Sequence, residues 1–481
     1  MVDGPNAVGT EAFDLLLTGG TVVTVDASRG VIPDGAVAVR GDRIVAVGSA
    51  SHFVGSTAGR RVDCRGKVVI PGMVDLHDHL FQHLLRGLGD DIPDLYGWLS
   101  RFMLPTAFAL TPEIVRAGGL LGSMLALRSG ITSVVDHHYG NTELEAIAAL
   151  GSAMKEVGVR GVIARTIFGP TTVIAEEAGV GPFFGSSIEE EIESTSAAID
   201  LFVGDPRVVV WPAPDHIPYN DVEMVSASVD LARRRDVGWY AHCSEVELDV
   251  SGYVTHYGAR PIDLLYEEGL LSPSAVLAHC NWLSDREMER LAETGTSVAH
   301  NPSSNSLGMT GICHVRELLD AGVRMGIGVD GIGSMGFDMF EEMMLAVQIQ
   351  RMTRVTIRGL EGALRHEEAI EMATLQGAAS IGLEAGSIEV GKLADLAVVD
   401  FEEPWLSPGY ATVALLVRVA RAHDVSMTIV GGEVVYEDGR FPLLGDQEST
   451  VAEVRARSGE LLERAGIEPE PTRWHFSDLT D

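Results

Sequence analysis

The stretch Val69-Ile70-Pro71-Gly72-Met73-Val74-Asp75-Leu76-His77-Asp78-His79 sets the reading of this chain. Val69 and Ile70 are β-branched, Pro71 and Gly72 punctuate, and Val74 and Leu76 then alternate with Asp75 and His77, the pattern of a strand. Residues two apart on a strand face the same way, so His77 and His79 aim at one point. Two imidazoles converging this way can chelate a divalent metal. The pair alone is short enough to arise by chance, and further ligands must come from elsewhere in the chain.

Upstream of this strand, residues 15–25, 36–39 and 43–47 are short apolar runs broken by Gly, Asp and Ser, an antiparallel β texture. The texture returns at 394–399 and 427–436, with turns at Gly431-Gly432 and Asp438-Gly439. Neither end has enough strands to bury a sheet face alone, so one discontinuous β-sandwich domain is expected, residues 1–70 together with 381–445. Between the ends, over 71–380, short apolar strands alternate with helical stretches such as 113–128, 221–235, 285–293 and 315–321, which signals βα units and a parallel sheet. Eight strands can be counted, at 73–79, 131–137, 161–166, 207–213, 238–242, 275–279, 296–301 and 324–330. The expected fold is therefore α/β: a (β/α)8 TIM barrel with the sandwich attached. A last stretch, 446–481, holds one helix over 451–465 and is expected to pack outside the barrel or at a subunit contact.

Active sites of such barrels lie at the C-terminal ends of the strands. Seven of the eight strands end on, or close to, a His, Asp or Asn: His79, His137, Asp215-His216, His242, His279, His300-Asn301 and Asp330. His242 and Asp330 join His77 and His79 to give three nitrogens and one oxygen at one rim. That set suits zinc first and iron(II) second. Glu245, three residues past His242, is placed for general acid/base work. His279, one strand further round, is placed to polarise substrate or stabilise developing charge.

Composition narrows the class. Among 481 residues, 46% are hydrophobic and the mean hydropathy is +0.16, as in a well-buried soluble enzyme. No apolar run reaches the roughly 18 residues of a membrane span, and residues 1–11 lack the pattern of a secretory signal. The net charge of −34 argues against nucleic-acid partners. Cys64, Cys243, Cys280 and Cys313 show no Cys-x-x-Cys spacing, consistent with free thiols in a reducing cytoplasm.

Beyond these readings, the chain resembles the aminohydrolase branch of the amidohydrolase superfamily, which includes guanine, 8-oxoguanine, cytosine and S-adenosylhomocysteine deaminases and the triazine hydrolases. The resemblance lies in Pro71 to His79, Gly130 to Asp136, His242-Cys243-Ser244-Glu245, Leu277-Ala278-His279-Cys280, His300 to Asn305, Gly328-Val329-Asp330-Gly331 and Gly386 to Leu396. It implies metal ligands His77, His79, His242 and Asp330, catalytic Glu245 and His279, and a second, water-positioning role for Asp330. Binuclear members bridge two metals with a lysine on the fourth strand. No lysine lies between Lys155 and Lys392 here, so one metal per chain is expected.

The resemblance implies substrate contacts from Gln82, Arg86 and Trp98 in the loop after the first strand. Further contacts are expected from His138 after the second strand and His216 after the fourth. Phe81, Trp98 and Tyr219 are expected as apolar walls, and Met335 stands where many relatives carry Asn, which implies a substrate less polar on that side than guanine. The expected reaction is hydrolytic replacement of an exocyclic amino group on a purine-, pterin-, pyrimidine- or triazine-like ring, with release of ammonia. The alternative is loss of halide or alkylamine from a triazine-like ring. A non-catalytic scaffold would be expected to lose a ligand or Glu245, and none is lost. A small heterocyclic substrate is the expected partner, with no nucleic acid and no membrane, in a homo-oligomer.

Overall fold

Sixteen strands build two sheets in the computed structural model, which describes residues 12–89, 92, 94–331, 336–353 and 362–468. The first end of the chain supplies β1 (Ala12–Val23), β2 (Val31–Arg40), β3 (Arg43–Ser49), β4 (Thr57–Asp63) and β5 (Lys67–Pro71). The middle supplies β6 (Met73–Asp78), β7 (Ile131–His138), β8 (Arg160–Ile167), β9 (Val208–Pro214), β10 (Trp239–Cys243), β11 (Ala275–His279), β12 (Ser297–His300) and β13 (Arg324–Ile327). The far end returns with β14 (Leu396–Asp400), β15 (Val425–Val430) and β16 (Glu433–Glu437).

Both chain ends share one sheet, ordered β16-β15-β14-β5-β1-β2-β3, with β4 also beside β1. β14 pairs antiparallel with β5, setting Val398 opposite Val69. Leu15, Leu17, Val37, Val39 and Val69 then share one apolar cluster with Leu396, Val398 and Ile429, while the alternate residues Leu16, Ala36 and Ala38 pack with Phe13 and Phe53 in another. The period of two along each strand makes both faces. The expected antiparallel character holds for β1-β2-β3 and β14-β15-β16 but not throughout, since β4 and β5 run parallel to β1. With the short helix Ala50–Phe53 between them, β4 runs in the direction of β3, which is also that of β1, and β5 keeps that direction after residues 64–66. β4 itself, Thr-Ala-Gly-Arg-Arg-Val-Asp from Thr57, has no apolar alternation and is largely exposed, which hid it in the sequence.

The barrel strands are parallel in the order β10-β11-β12-β13-β6-β7-β8-β9, and a parallel bridge from His216 to His242 joins the rim ends of β9 and β10. Capped helices cover the strands. Thr111 caps Pro112–Arg128, Asp221 caps Val222–Arg235, and Ser284 with Glu287 forms a capping box on Asp285–Thr294. β12 and β13 stop short of the expected Asn301 and Asp330. The backbone leaves the ladder there, with Asp330 in the left-handed region at φ 67°. At Gly328 an added Cβ would lie 2.4 Å from Asn301 Oδ1 and 2.6 Å from His77 Cβ, so this close approach admits only glycine.

The helix Gln447–Ala465 packs outside the barrel, where Ser458 Oγ donates to Leu84 O at 2.6 Å and Arg464 Nε to Ala109 O at 2.8 Å. All four cysteines are buried and free. Among the described residues no helix is long and apolar enough to cross a membrane.

One buried ion pair ties the barrel to the other sheet. Arg160 Nε lies 2.7 Å from Asp395 Oδ2, and Gly431 N donates to Asp395 Oδ1 at 2.6 Å. Asp395→Ala would strand a buried guanidinium and should cost about 3–5 kcal/mol in denaturant unfolding. A second buried acid, Glu342 on Met339–Thr353, accepts from Ser303 N at 3.1 Å and Ser303 Oγ at 2.6 Å. Burial pushes its carboxyl up to about 8. A carboxyl raised on folding contributes stability that is full below its unfolded value and lost as pH rises through the folded one. Between pH 6.5 and 8 the Tm of Glu342→Gln should therefore fall less than that of the wild type in calorimetry.

Candidate functional site

β6 and the residue just past it bring His77 and His79 to the barrel rim with ring centroids 4.8 Å apart. His79 Nδ1 donates to His137 O at 2.6 Å and His242 Nδ1 to Asp215 O at 2.8 Å, which leaves Nε2 of each ring directed elsewhere. Asp330 Oδ1 stands 3.2 Å from His77 Nε2 and 3.4 Å from His79 Nε2. The ligand atoms of His77, His79 and His242 lie within 4.8 Å of one another, as do those of His77, His279 and Asp330. His137, Asp215 and His242 form a third such group, which shares His242.

The donor set fits a divalent cation. Both ring nitrogens of His77 are buried without a hydrogen-bond partner, since Nε2 approaches Asp330 without hydrogen-bond alignment. Buried polar atoms are almost always paired, so an orphaned imidazole at the focus of two others and a carboxylate marks a ligand position. Burial pushes His77 down to about 4 and His242 well below its ordinary value, so both rings are neutral and ready to bind. Burial alone would raise Asp330, but His77 and His79 outweigh it and hold the carboxylate ionised.

Glu245 and His279 face this cluster. Burial pushes the Glu245 carboxyl up to about 8, against the pull of His216. Its Oε2 lies 3.7 Å from His279 Nε2, which is 3.8 Å from Asp330 Oδ2. His279 Nδ1 donates to Asn305 Oδ1 at 2.9 Å, fixing the tautomer that leaves Nε2 toward the cleft. Asn305 Nδ2 donates to Asn281 Oδ1 at 2.9 Å, and Asn281 Nδ2 to Glu245 O at 3.0 Å, so amides brace both residues from behind. Ser244, His279 and Asp330 have φ of 49°, 69° and 67°, a left-handed conformation that L residues rarely hold without a compensating framework.

The cleft above opens to solvent and is walled mostly by apolar and aromatic side chains, with a few polar groups converging on it. Of the expected substrate contacts, Gln82, Trp98 and His216 line it. Arg86 does not: it is exposed, with Nη2 3.3 Å from His83 Nδ1. His138 does not either, since its Nε2 is spent on Asn141 O at 3.0 Å. Of the expected walls Tyr219 lines the cleft, whereas Phe81 is buried behind it against Tyr139. Met335 lies outside the described residues. The first-strand loop also supplies Leu95 and Leu99, while sequence reading missed Tyr139, Phe184, Leu104 and Ser304. None sits in a chemically marked motif except Ser304, within His300–Asn305. It also missed Asp249, whose carboxylate lies 2.9 Å from His216 Nε2. Burial disfavours the His216 cation, but Asp249 outweighs it and pushes the ring up to about 9.

Known proteins resemble this chain over most of its length. Residues 68–435 match the Amidohydrolase family. Over 439 residues the chain is 34% identical to the 5-methylthioadenosine/S-adenosylhomocysteine deaminase of Syntrophobacter fumaroxidans, covering 90% of this chain and 95% of that one. Among solved structures, an adenosine deaminase from Xanthomonas campestris with bound zinc superposes with a TM-score of 0.85 at 29% identity, over 94% of this chain and 99% of that one. The zinc complex of atrazine chlorohydrolase from Arthrobacter aurescens gives 0.84 at 25% identity, over 92% and 100%. By the extent of the family match and of these alignments, the chain belongs to the amidohydrolase family.

Proposed function

We propose that this protein is a metal-dependent hydrolytic deaminase that replaces the exocyclic amino group of a purine-like heterocycle with oxygen and releases ammonia. The observation that carries the reading is the pairing of Glu245 and His279, 3.7 Å apart, beside a cluster of three imidazoles and Asp330 at the floor of an aromatic-walled cleft. The naming of the Syntrophobacter relative as a nucleoside-type deaminase supports the purine class.

His77, His79, His242 and Asp330 would hold one zinc per chain. Zinc suits the three-nitrogen, one-oxygen set, and its presence in the Xanthomonas and Arthrobacter structures supports it over iron. Bound there, the cation acts as a Lewis acid that makes water a nucleophile near neutral pH. The residues of the chain do the rest. Glu245 takes the proton of the attacking water and delivers it from Oε2 to the ring nitrogen beside the amino-bearing carbon. His279 Nε2, left as an acceptor by the Nδ1–Asn305 bond, and the ionised Asp330 Oδ2 would accept from the attacking water and hold its oxygen over the ring carbon. Asp330 Oδ2 then takes the remaining O–H proton of the added water and passes it to the amino group, so that the C–N bond breaks, ammonia leaves and the C=O forms. Trp98, Tyr139 and Tyr219 would hold a flat ring, with Gln82 and His216 as polar contacts. Cytoplasmic residence, favoured by four free buried cysteines, and assembly into homo-oligomers belong to the same proposal.

The second reading, release of halide or alkylamine from a triazine-like ring, is favoured by the likeness to atrazine chlorohydrolase. A screen of amino-purines, pterins, pyrimidines and triazines in ¹⁸O water separates the two. Labelled product with ammonia is expected; labelled product with halide or alkylamine would transfer the assignment. Glu245→Gln should keep fold and metal but lose at least about two orders of magnitude in kcat, the scale of acid/base catalysis. Activity within a few-fold of the wild type would remove Glu245 from this role. Elemental analysis of protein purified without added metal should give about one zinc per chain by the ligand-set argument. Two tightly held metals would point instead to use of the His137 and Asp215 group.

A further inference from the structure

Asp249 sits in the first turn of the helix Glu247–Tyr257, fully buried, and its carboxylate gathers four donors from three separate parts of the rim. Oδ2 accepts from Glu245 N at 2.9 Å, Val246 N at 3.0 Å and His216 Nε2 at 2.9 Å. Oδ1 accepts from Tyr96 OH at 3.0 Å. The two backbone bonds alone would make Asp249 an ordinary helix-start residue, satisfying amides that the helix leaves unpaired. The other two exceed that role. Tyr96 belongs to the helix Leu95–Trp98, whose Leu95 and Trp98, with Leu99 just beyond, form a wall of the cleft. His216 lines the cleft from the end of β9.

We propose that Asp249 is a positioning residue that couples the Tyr96-bearing wall of the cleft to the placement of Glu245 and His216. With Tyr96 docked, one buried anion holds the backbone of Glu245 and the ring of His216 in a single arrangement. With Tyr96 released, the same oxygen pair loses a donor, and the wall no longer bears on the segment that carries Glu245. A ring seated against Trp98 thereby reports to the acid/base side chain through three hydrogen bonds. The inference rests on the deaminase reading for its kinetic arm but not for its structural one.

The structural arm is hydrogen exchange on the full chain with Tyr96→Phe, which removes one hydroxyl and keeps the aromatic packing. Faster exchange is expected both over residues 94–107 and at the Glu245 and Val246 amides, which Asp249 holds. Faster exchange over 94–107 alone would overturn the coupling. The kinetic arm uses Asp249→Asn, whose amide oxygen can still accept from the two backbone amides. Its kcat should fall between about ten- and a hundredfold, the range in which small misplacements of catalytic groups act. The double variant Tyr96→Phe/Asp249→Asn should lose no more than Asp249→Asn alone, because both break one linked unit. A wild-type kcat in Asp249→Asn, or losses that multiply in the double variant, would overturn the proposal. If Asp249→Asn fails to fold, the Tyr96→Phe exchange result decides. Absence of turnover by the wild type on every heterocycle would count against the deaminase reading and leave the exchange arm to judge Asp249.

Discussion

The site depends on a buried imidazole that the protein leaves without a hydrogen-bond partner. A buried polar group with no partner costs about 1–3 kcal/mol, and His77 holds two such atoms at the centre of the barrel rim. The surrounding framework is built to keep that ring where a cation can claim it. Asp75 Oδ1 accepts from His77 N at 3.2 Å and from Val329 N at 3.0 Å, and Asp78 Oδ1 accepts from His79 N at 2.7 Å and Gly331 N at 2.8 Å. Two buried carboxylates thus stitch the strand that carries the histidine pair to the strand end that carries Asp330. Gly328 lets the two strands approach closely enough for the stitching to work.

Strain and polarity are concentrated at the same rim. The backbone is left-handed at Ser244, His279 and Asp330, and the side chains of His279 and Asp330 line the cleft. The parallel strands below are largely buried, so the cost of these turns falls on a packed scaffold. The amides of Asn281 and Asn305 brace Glu245 and His279 from outside the cleft, in the manner of partners that orient the groups touching a substrate. The acidic surface does not extend into this arrangement. Within the cleft, carboxylates are each set beside imidazoles, and the walls are aromatic or aliphatic.

Most of the fold, and the gathering of imidazoles and carboxylates at the barrel rim, were legible in sequence, because both follow local rules. Strand alternation and helix periodicity placed eight barrel strands to within three residues, and the cap residues Thr111, Asp221 and Ser284 stand where the helices begin. Polar residues at apolar strand ends identified His77, His79, His242, His279 and Asp330, since a strand in a barrel delivers its last side chain to the rim whatever lies on other strands. β4 was invisible because its exposed, charged surface carries no apolar period. The parallel pairing of β4 and β5 with β1 was equally hidden, because pairing direction depends on which strand the chain lands beside.

What only the tertiary structure decided is which side chains share a space. Arg86 and His138 lie beside the motif in sequence yet point away from the cleft, as one follows the turn after Leu80–Leu85 outward and the other spends its ring on Asn141. Tyr139 and Phe184 come to the cleft from two different loops and Ser304 from the helix Pro302–Leu307, and Asp249 reaches His216 across 33 residues and Tyr96 across 153. The sequence by itself determined the barrel, the return of the chain's far end to its first strands, and the metal-competent donor set. Each is written in the period or the type of neighbouring residues. The walls of the cleft and the carboxylate that links them arise from contacts between segments distant in sequence, where no local pattern records the partner.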